Sequence, residues 1–245
     1  MRIDLNSDLG EGFGPWEIGD DAQMPSAVTS ADVACGGHAG DPDTILRTLT
    51  LARDKGVSIG AHPGYADPID FGRRVIPMSV DEIARMCPAQ IGALQGVAAF
   101  VDVPVAYAKP HGALANLAAR DRGVADAIVG AVQKIDPNTA VLTESGTEGE
   151  QAADKTGVPV YSEVFADRGD LSSGQLVPRN RPDAMIHDVQ EVESRLVSFF
   201  ETGKMPVVDG DPIKLAAHSV CVHGDSAEAA EMACEIRNRL TAEGV

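Results

Sequence analysis

Four of the six histidines share one context. His38 in "ACGGHAGDPD", His62 in "GAHPGY", His111 in "KPHGAL" and His223 in "CVHGD" each follow a β-like run and lie beside or close to glycine. Imidazoles so placed suit proton transfer, metal ligation or the orientation of an anion. One strand-end histidine is commonplace, but four at equivalent positions point to a shared site. His187 and His218 lack this context and read as structural. Carboxylates accompany the four: Asp4, Asp8 and Glu11 in "DLNSDLGEGFG", Glu163 and Asp167 in "EVFADR", and Asp225 after His223. Asp4 and Asn6 fall on one face of a first strand, with Asp8 and Glu11 in the glycine loop after it. Paired carboxylates suit a general base or a hard cation. Asp41 followed by Pro42 reads as a helix start, which makes Asp41 structural.

Two chemistries remain open at this level. Histidines with carboxylates suit zinc or another transition ion, although there is no HExxH and no tight histidine spacing. Glycine-flanked amides with Lys109 and Arg168 suit an anion instead. No GxxxxGK[ST] is present, so a P-loop is excluded.

The charge balance supports a small anionic ligand. The chain of 245 residues has a formal net charge of −17, which excludes nucleic acid and anionic membrane as partners. Against that background Arg73, Arg74, Lys109, Arg168, Arg179 and Arg181 concentrate in glycine-rich loops. Four cysteines without CxxC spacing indicate neither zinc knuckle nor disulfide framework. No apolar run approaches the roughly 20 residues of a membrane span. "MRIDLNSDLG" has no apolar stretch of a secretion signal, so a cytoplasmic protein is expected.

These residues need elements to hold them. Strand candidates at 2–6, 28–35, 57–62, 104–109, 139–144, 159–165 and 219–223 alternate with helical patterns at 43–55, 80–101, 113–134, 146–156, 187–202 and 226–242. Ser79 and Gly56 supply a helix cap at either end, and Pro88 is expected to kink or divide its helix. Such alternation implies βα units around a parallel sheet in one domain, 1–245. A barrel and an open doubly wound sheet both fit. The barrel is favoured because nearly every strand ends in a polar or ionisable residue, and a barrel brings those ends to one face. The polar segment 166–184 is expected to be a lid, 70–79 a smaller flap, and 205–216 a small hairpin insertion turning at "DGD".

The segments "DLNSDLGEGFG", "ADVACGGHAGDP", "GAHPGY", "FGRR", "KPHGAL", "EVFADR", "LVPR" and "CVHGD" run in order from residue 4 to 225, and together they resemble the LamB/YcsF family. The resemblance implies a distorted, seven-stranded (β/α) barrel of the glycoside hydrolase/deacetylase type. It further implies ATP-dependent cleavage of 5-oxo-L-proline to L-glutamate, with subunits B and C as partners. Ser7, Gly37 and Ala115 are smaller than the residues usual in the family, which bears on substrate shape.

Phosphorylating a lactam oxygen would make it a leaving group, which calls for cations on the phosphoryl charge and a base for water. Residue chemistry then assigns Lys109 and Arg168 to phosphate. Asp8, His38 and His62 serve as base or metal ligands, His111 and His223 orient substrate, and Glu11 and Glu163 hold Mg²⁺ with the nucleotide. Two rivals stand beside this: a metal-dependent amidohydrolase or deacetylase without ATP, and a non-catalytic subunit that binds a small carboxylate or sugar.

Overall fold

The computed structural model describes residues 2–224 and 229–245. Its strands are β1 (Asp4–Leu9), β2 (Ser30–Ala34), β3 (Ser58–His62), β4 (Tyr107–Ala108), β5 (Ala140–Glu144), β6 (Val160–Phe165), β7 (Lys204–Met205), β8 (Ile213–Lys214) and β9 (Ser219–Cys221). Seven of them, β1 to β6 and then β9, pair in parallel, and β9 returns to β1 to close a barrel. All seven strand candidates are thus present, and the barrel rather than the open sheet is the fold. β7 and β8 form a separate antiparallel pair flanking the "DGD" turn.

The α-helices are α1 (Pro42–Lys55), α2 (Val80–Ala98), α3 (Gly112–Ala118), α4 (Arg122–Ile135), α5 (Glu148–Thr156), α6 (Val189–Thr202) and α7 (Ala229–Ala242), with short 3-10 turns at Met24–Ser26 and Ala99–Val101. Asp41 caps α1 by accepting from the Asp43 and Thr44 amides, and Gly56 ends it in the left-handed conformation that glycine tolerates. Ser79 and Glu82 form a reciprocal capping box at the start of α2. Pro88 does not divide α2. It removes one hydrogen bond, while Ile83, Cys87, Ile91 and Leu94 anchor both halves in the core. The single helical stretch expected over 113–134 is instead two helices, because Asp121 accepts from the Val124 amide and starts α4 afresh.

The alternation of each strand explains the site. Leu5, Leu9, Val33, Ile59 and Val164 join the apolar cluster between barrel and helices. The intervening residues fill the barrel, and many are polar: Asn6, Asp8, Asp32, Glu163 and Ser219 are all buried. Tyr107 shares a small apolar cluster with Ala140 and Leu142, and its hydroxyl donates to Asp32 Oδ1 at 2.7 Å. Gly60 permits this, because a Cβ there would lie 2.2 Å from the Tyr107 ring. Among the described residues no helix is long and apolar enough to cross a membrane.

Candidate functional site

Strand geometry decides which polar residues reach the mouth of the barrel. β1 runs on to Leu9, so Asp8 is a strand residue and not part of the glycine loop. Asp4, Asn6 and Asp8 therefore share one face in ascending order. Asp4 lies at the opposite end of the strand from the mouth, where it accepts from the Thr29, Ser30 and Ser219 hydroxyls. Asp8 lies near the upper end. Beside it stand His62, ending β3, Lys109, one residue past β4, Glu144, ending β5, and His223, two residues past β9. Asp8, His62, Lys109, His111, Glu144, Glu163, Arg168 and His223 line one cavity of about 300 Å³. Asp225 lies outside the described residues.

Lys109 is the centre of the barrel's charge. Its ammonium donates to Asn6 Oδ1 (3.0 Å), Asp8 Oδ1 (3.1 Å) and Asp32 Oδ2 (3.0 Å). It also lies 3.0 Å from Glu163 Oε2 and 3.2 Å from Cys221 Sγ. An ammonium has three donors, and these neighbours more than fill them. The expected phosphate role therefore does not fit: a second anion would have to displace carboxylates already in contact. Burial opposes the lysine's charge, but Asp32 and Asp8 outweigh it and hold its pKa well above the usual value. Burial raises Asp8 too, yet Lys109 and His62 carry it well below the carboxylate range. Asp32, held off by burial and by its acidic neighbours, is raised to about 7.

Three histidines and Glu11 form a second cluster beside the first. His38 Nε2 lies 2.9 Å from Glu11 Oε1, and His111 Nδ1 lies 2.9 Å from His62 Nε2 and 3.5 Å from Glu11 Oε1. His38 and His111 stack with ring centroids 3.6 Å apart. His38 stands behind His111, 1% exposed, in the wall rather than the cavity. One ligand atom from each of Glu11, His38, His62 and His111 can be drawn so that all lie within 4.8 Å of one another, a group able to hold a metal ion. Of the expected metal candidates Asp8, His38 and His62, the two histidines fall in this group with Glu11 and His111, while Asp8 stands beside it, between Lys109 (3.1 Å) and His62 Nε2 (3.3 Å). The pairing of Glu11 with Glu163 around Mg²⁺ is replaced, because Glu11 faces histidines and Glu163 faces Lys109. Burial, then the neighbouring imidazoles, keeps His38 and His111 well below the usual histidine pKa. Burial also opposes charge on His62, but Asp8 outweighs it and raises that residue.

Segment 70–79 is a support for this cluster rather than a flap. Phe71 adopts φ of 55°, unusual for a residue with a side chain. Its carbonyl thereby accepts from His111 Nε2 at 2.8 Å, and its ring meets both His38 and His111 edge-on. Of the smaller residues, Gly37 faces Gln90, whose amide fills the space a Cβ would need and holds both backbone groups of Gly64. Ala115 does line the cavity.

Opposite the cluster, His223 Nδ1 donates to Asp167 at 2.9 Å, and its ring stacks on Phe165. This fixes the tautomer and leaves Nε2 as the basic nitrogen. Burial raises Asp167, but His223 outweighs it and holds the carboxyl low. Arg168 proves to be a loop anchor. It donates to the backbone oxygens of Ala184 and Val177, and burial pushes its pKa down to about 10. That gives segment 166–184 a fixed frame, whose Leu171, Gln175, Leu176 and Arg179 line the cavity. Of the other loop cations, Arg73 lines the cavity and lies over the Phe71 ring, and Arg74 and Arg181 pair locally with acids.

Sequence reasoning misses Asp32 as a site residue and does not single out Glu144 or Arg120, both of which line the cavity. Burial, then the charge of Glu163, raises the Glu144 carboxyl to about 7. A raised carboxyl favours folding while protonated, so this contribution is complete below about pH 4 and declines as pH rises towards about 7. Glu144→Gln is therefore expected to be more stable than the parent at pH 8, by on the order of 2 kcal/mol, and no more stable at pH 4. Urea unfolding at the two pH values checks this, and an equal change at both would contradict the assignment.

The sequence and the fold resemble those of known proteins over their full length. The chain is 47% identical over 245 residues to a Nocardia farcinica protein named as the A subunit of 5-oxoprolinase, covering 100% of this chain and 98% of that one. It is 44% identical over 246 residues to the protein of the same name from Rhodopseudomonas palustris, with 100% and 97% covered. The crystal structure of a lactam utilization protein from Thermus thermophilus superposes with a TM-score of 0.93 at 39% identity, covering 100% of this chain and 98% of that chain. A LamB/YcsF family model matches residues 3–245, from the first strand through the last helix, and the chain belongs to the LamB/YcsF family.

Proposed function

We propose that this chain hydrolyses the lactam of 5-oxo-L-proline to L-glutamate in a reaction coupled to ATP, as the A subunit of an assembly with subunits B and C. The full-length similarity to proteins named for that component of 5-oxoprolinase supports the role. The observation that carries the chemistry is the His223–Asp167 pair at the rim of a cavity of about 300 Å³, space enough for a five-membered lactam. His223 Nε2 is the base that takes a proton from attacking water, and Asp167 steadies the imidazolium that results. Arg73, Arg120 and Arg179 at the mouth receive the substrate carboxylate and the transferred phosphoryl group. Lys109 has no donor to spare, so the nucleotide would be held by other groups of the assembly. Segment 166–184 acts as the lid over bound substrate. A reaction that consumes ATP, and cysteines free among the described residues, fit the cytoplasm.

The test is glutamate and phosphate release from 5-oxoproline and ATP, with subunits B and C present. Glutamate formed in step with phosphate supports the proposal, and no glutamate from the complete assembly overturns it. The cluster of Glu11 with three histidines favours a second reading, an amidohydrolase that needs a metal and no ATP. Glutamate release with ATP left out would select that reading.

A further inference from the structure

Three carboxyl side chains line the cavity, and two of them are committed to partners. Asp8 pairs with Lys109 and His62, while Glu163 pairs with Lys109 and accepts from the Asn6 amide at 3.2 Å. Glu144 differs. Its main-chain oxygen accepts from the Thr147 hydroxyl, but among the described residues its carboxyl has no hydrogen-bond or ion-pair partner. It ends β5, buried but open to the cavity. Only β6 separates its strand from β9, which leads to His223, and the ring of Phe165 on β6 carries the His223 imidazole. An unpaired acid in a cleft beside a base is a mark of function. We infer, on the ATP-coupled function proposed above, that Glu144 is the acid that protonates the lactam nitrogen as the ring opens.

Leaving-group chemistry calls for such an acid. Water adds to the phosphorylated lactam carbon and gives one proton to His223. The tetrahedral carbon then carries the ring nitrogen, the phosphorylated oxygen and a new hydroxyl. Two collapses are open to it. If the bond to the phosphorylated oxygen breaks, phosphate leaves and oxoproline returns, with ATP consumed for nothing. If the carbon–nitrogen bond breaks, its electron pair goes to nitrogen, the hydroxyl gives its proton to solvent and closes to a carbonyl, and an acyl phosphate results. Phosphate leaves readily and an amine anion does not, so ring opening needs a proton delivered to nitrogen. Glu144 delivers it and becomes a carboxylate, solvent restores it, and His223 releases the proton it took. A further water cleaves the acyl phosphate to glutamate and phosphate.

The surroundings keep a proton on this carboxyl. Burial, then the charge of Glu163, raises it to about 7, which suits an acid that must give its proton up near neutrality. The charged groups that face it are Lys109 beyond β4, Glu163 on β6, and Arg168 and Asp170 of segment 166–184. Neither cation takes up the carboxyl, because Lys109 is filled by Asn6, Asp8 and Asp32 and Arg168 holds main-chain oxygens. Asp170 pairs with Arg195. From α5, packed outside β5, Glu150 turns to the Gly146 amide and the Ser162 hydroxyl.

The test is the ratio of glutamate to phosphate released by the complete assembly with subunits B and C. Glu144→Gln has the shape of the protonated acid without a proton to give. Its glutamate release is expected to fall roughly 10²–10⁴-fold while phosphate release falls far less, so the ratio drops from near one to below about one in ten. In heavy-oxygen water the oxoproline recovered from this variant should carry the label, because the futile collapse leaves the new oxygen on the ring. Glu144→Asp keeps an acid, one carbon shorter, and should recover part of the coupling. In the parent the ratio should decline as pH rises through about 7, where the acid form is lost. Glutamate and phosphate released in step by folded Glu144→Gln at the parent's rate would overturn the inference, as would an equal fall in both without label in oxoproline. If that variant does not fold, a parent ratio constant from about pH 6 to about pH 9 overturns it instead. No glutamate from the parent assembly strikes at the proposed function itself, which separates the two failures.

Discussion

Lys109→Met is expected to lose about 3–5 kcal/mol of folding stability at pH 8, the usual cost of removing one partner from a buried ion cluster. That is a large share of the roughly 5–15 kcal/mol available to a domain. The reason is arithmetic of charge. One ammonium faces Asp8, Asp32 and Glu163 inside the barrel, and methionine fills much of the same volume while leaving Asp32 and Glu163 without a cation and Asp8 with His62 alone. The loss should shrink as pH falls. Asp32 ionises at about 7 even with the lysine present, because burial already disfavours its charge. Without the lysine its folded-state pKa rises further above the unfolded value. A raised carboxyl stabilises the fold when protonated, so the variant regains stability between pH 8 and pH 5. Denaturant unfolding across that range is the measurement. A loss equal at both ends, or none at pH 8, would show that the cluster does not carry its charges as described.

His223→Ala is expected to slow the turnover of oxoproline by the complete assembly about 10²–10⁴-fold, the contribution of a positioned general base. Asp167→Asn should fall nearly as far. The amide can donate to Nδ1, which turns the imidazole to the tautomer that presents N–H where the lone pair is needed. His223→Ala also leaves the buried Asp167 without its partner and so costs some stability; a drop in kcat measured well below the variant's melting temperature, shared by the milder Asp167→Asn, is the signature. A change confined to KM in both variants would move His223 from proton transfer to substrate binding.

Much of this site was legible in the sequence because barrel strands deliver their last residues to one end. His62, His111 and His223 were recognisable from a strand followed by glycine, and each lines the cavity. His38 was recognisable too, though its place behind His111 follows only from packing. Asp32 was not legible. In "SADVA" an acid between small residues looks like the wet face of a half-buried strand, and only closure of the barrel turns that face inward. The role of Lys109 was misread for a related reason. Its partners Asp32 and Asp8 lie 77 and 101 residues away in sequence, so a lone cation near glycine suggested a phosphate. Asp8 itself was displaced by a strand boundary set a few residues early, enough to move it from the barrel wall to a loop.

The grip of Arg168 on its loop has a consequence for how such proteins diverge. It holds Val177 and Ala184 through main-chain oxygens, which every residue type possesses. Exchanges at Leu171, Gln175 or Leu176 therefore alter the wall that meets substrate without unpicking the frame that carries it. Selection or a designer can retune substrate preference there one side chain at a time, with the His223–Asp167 pair just past the barrel strands left intact.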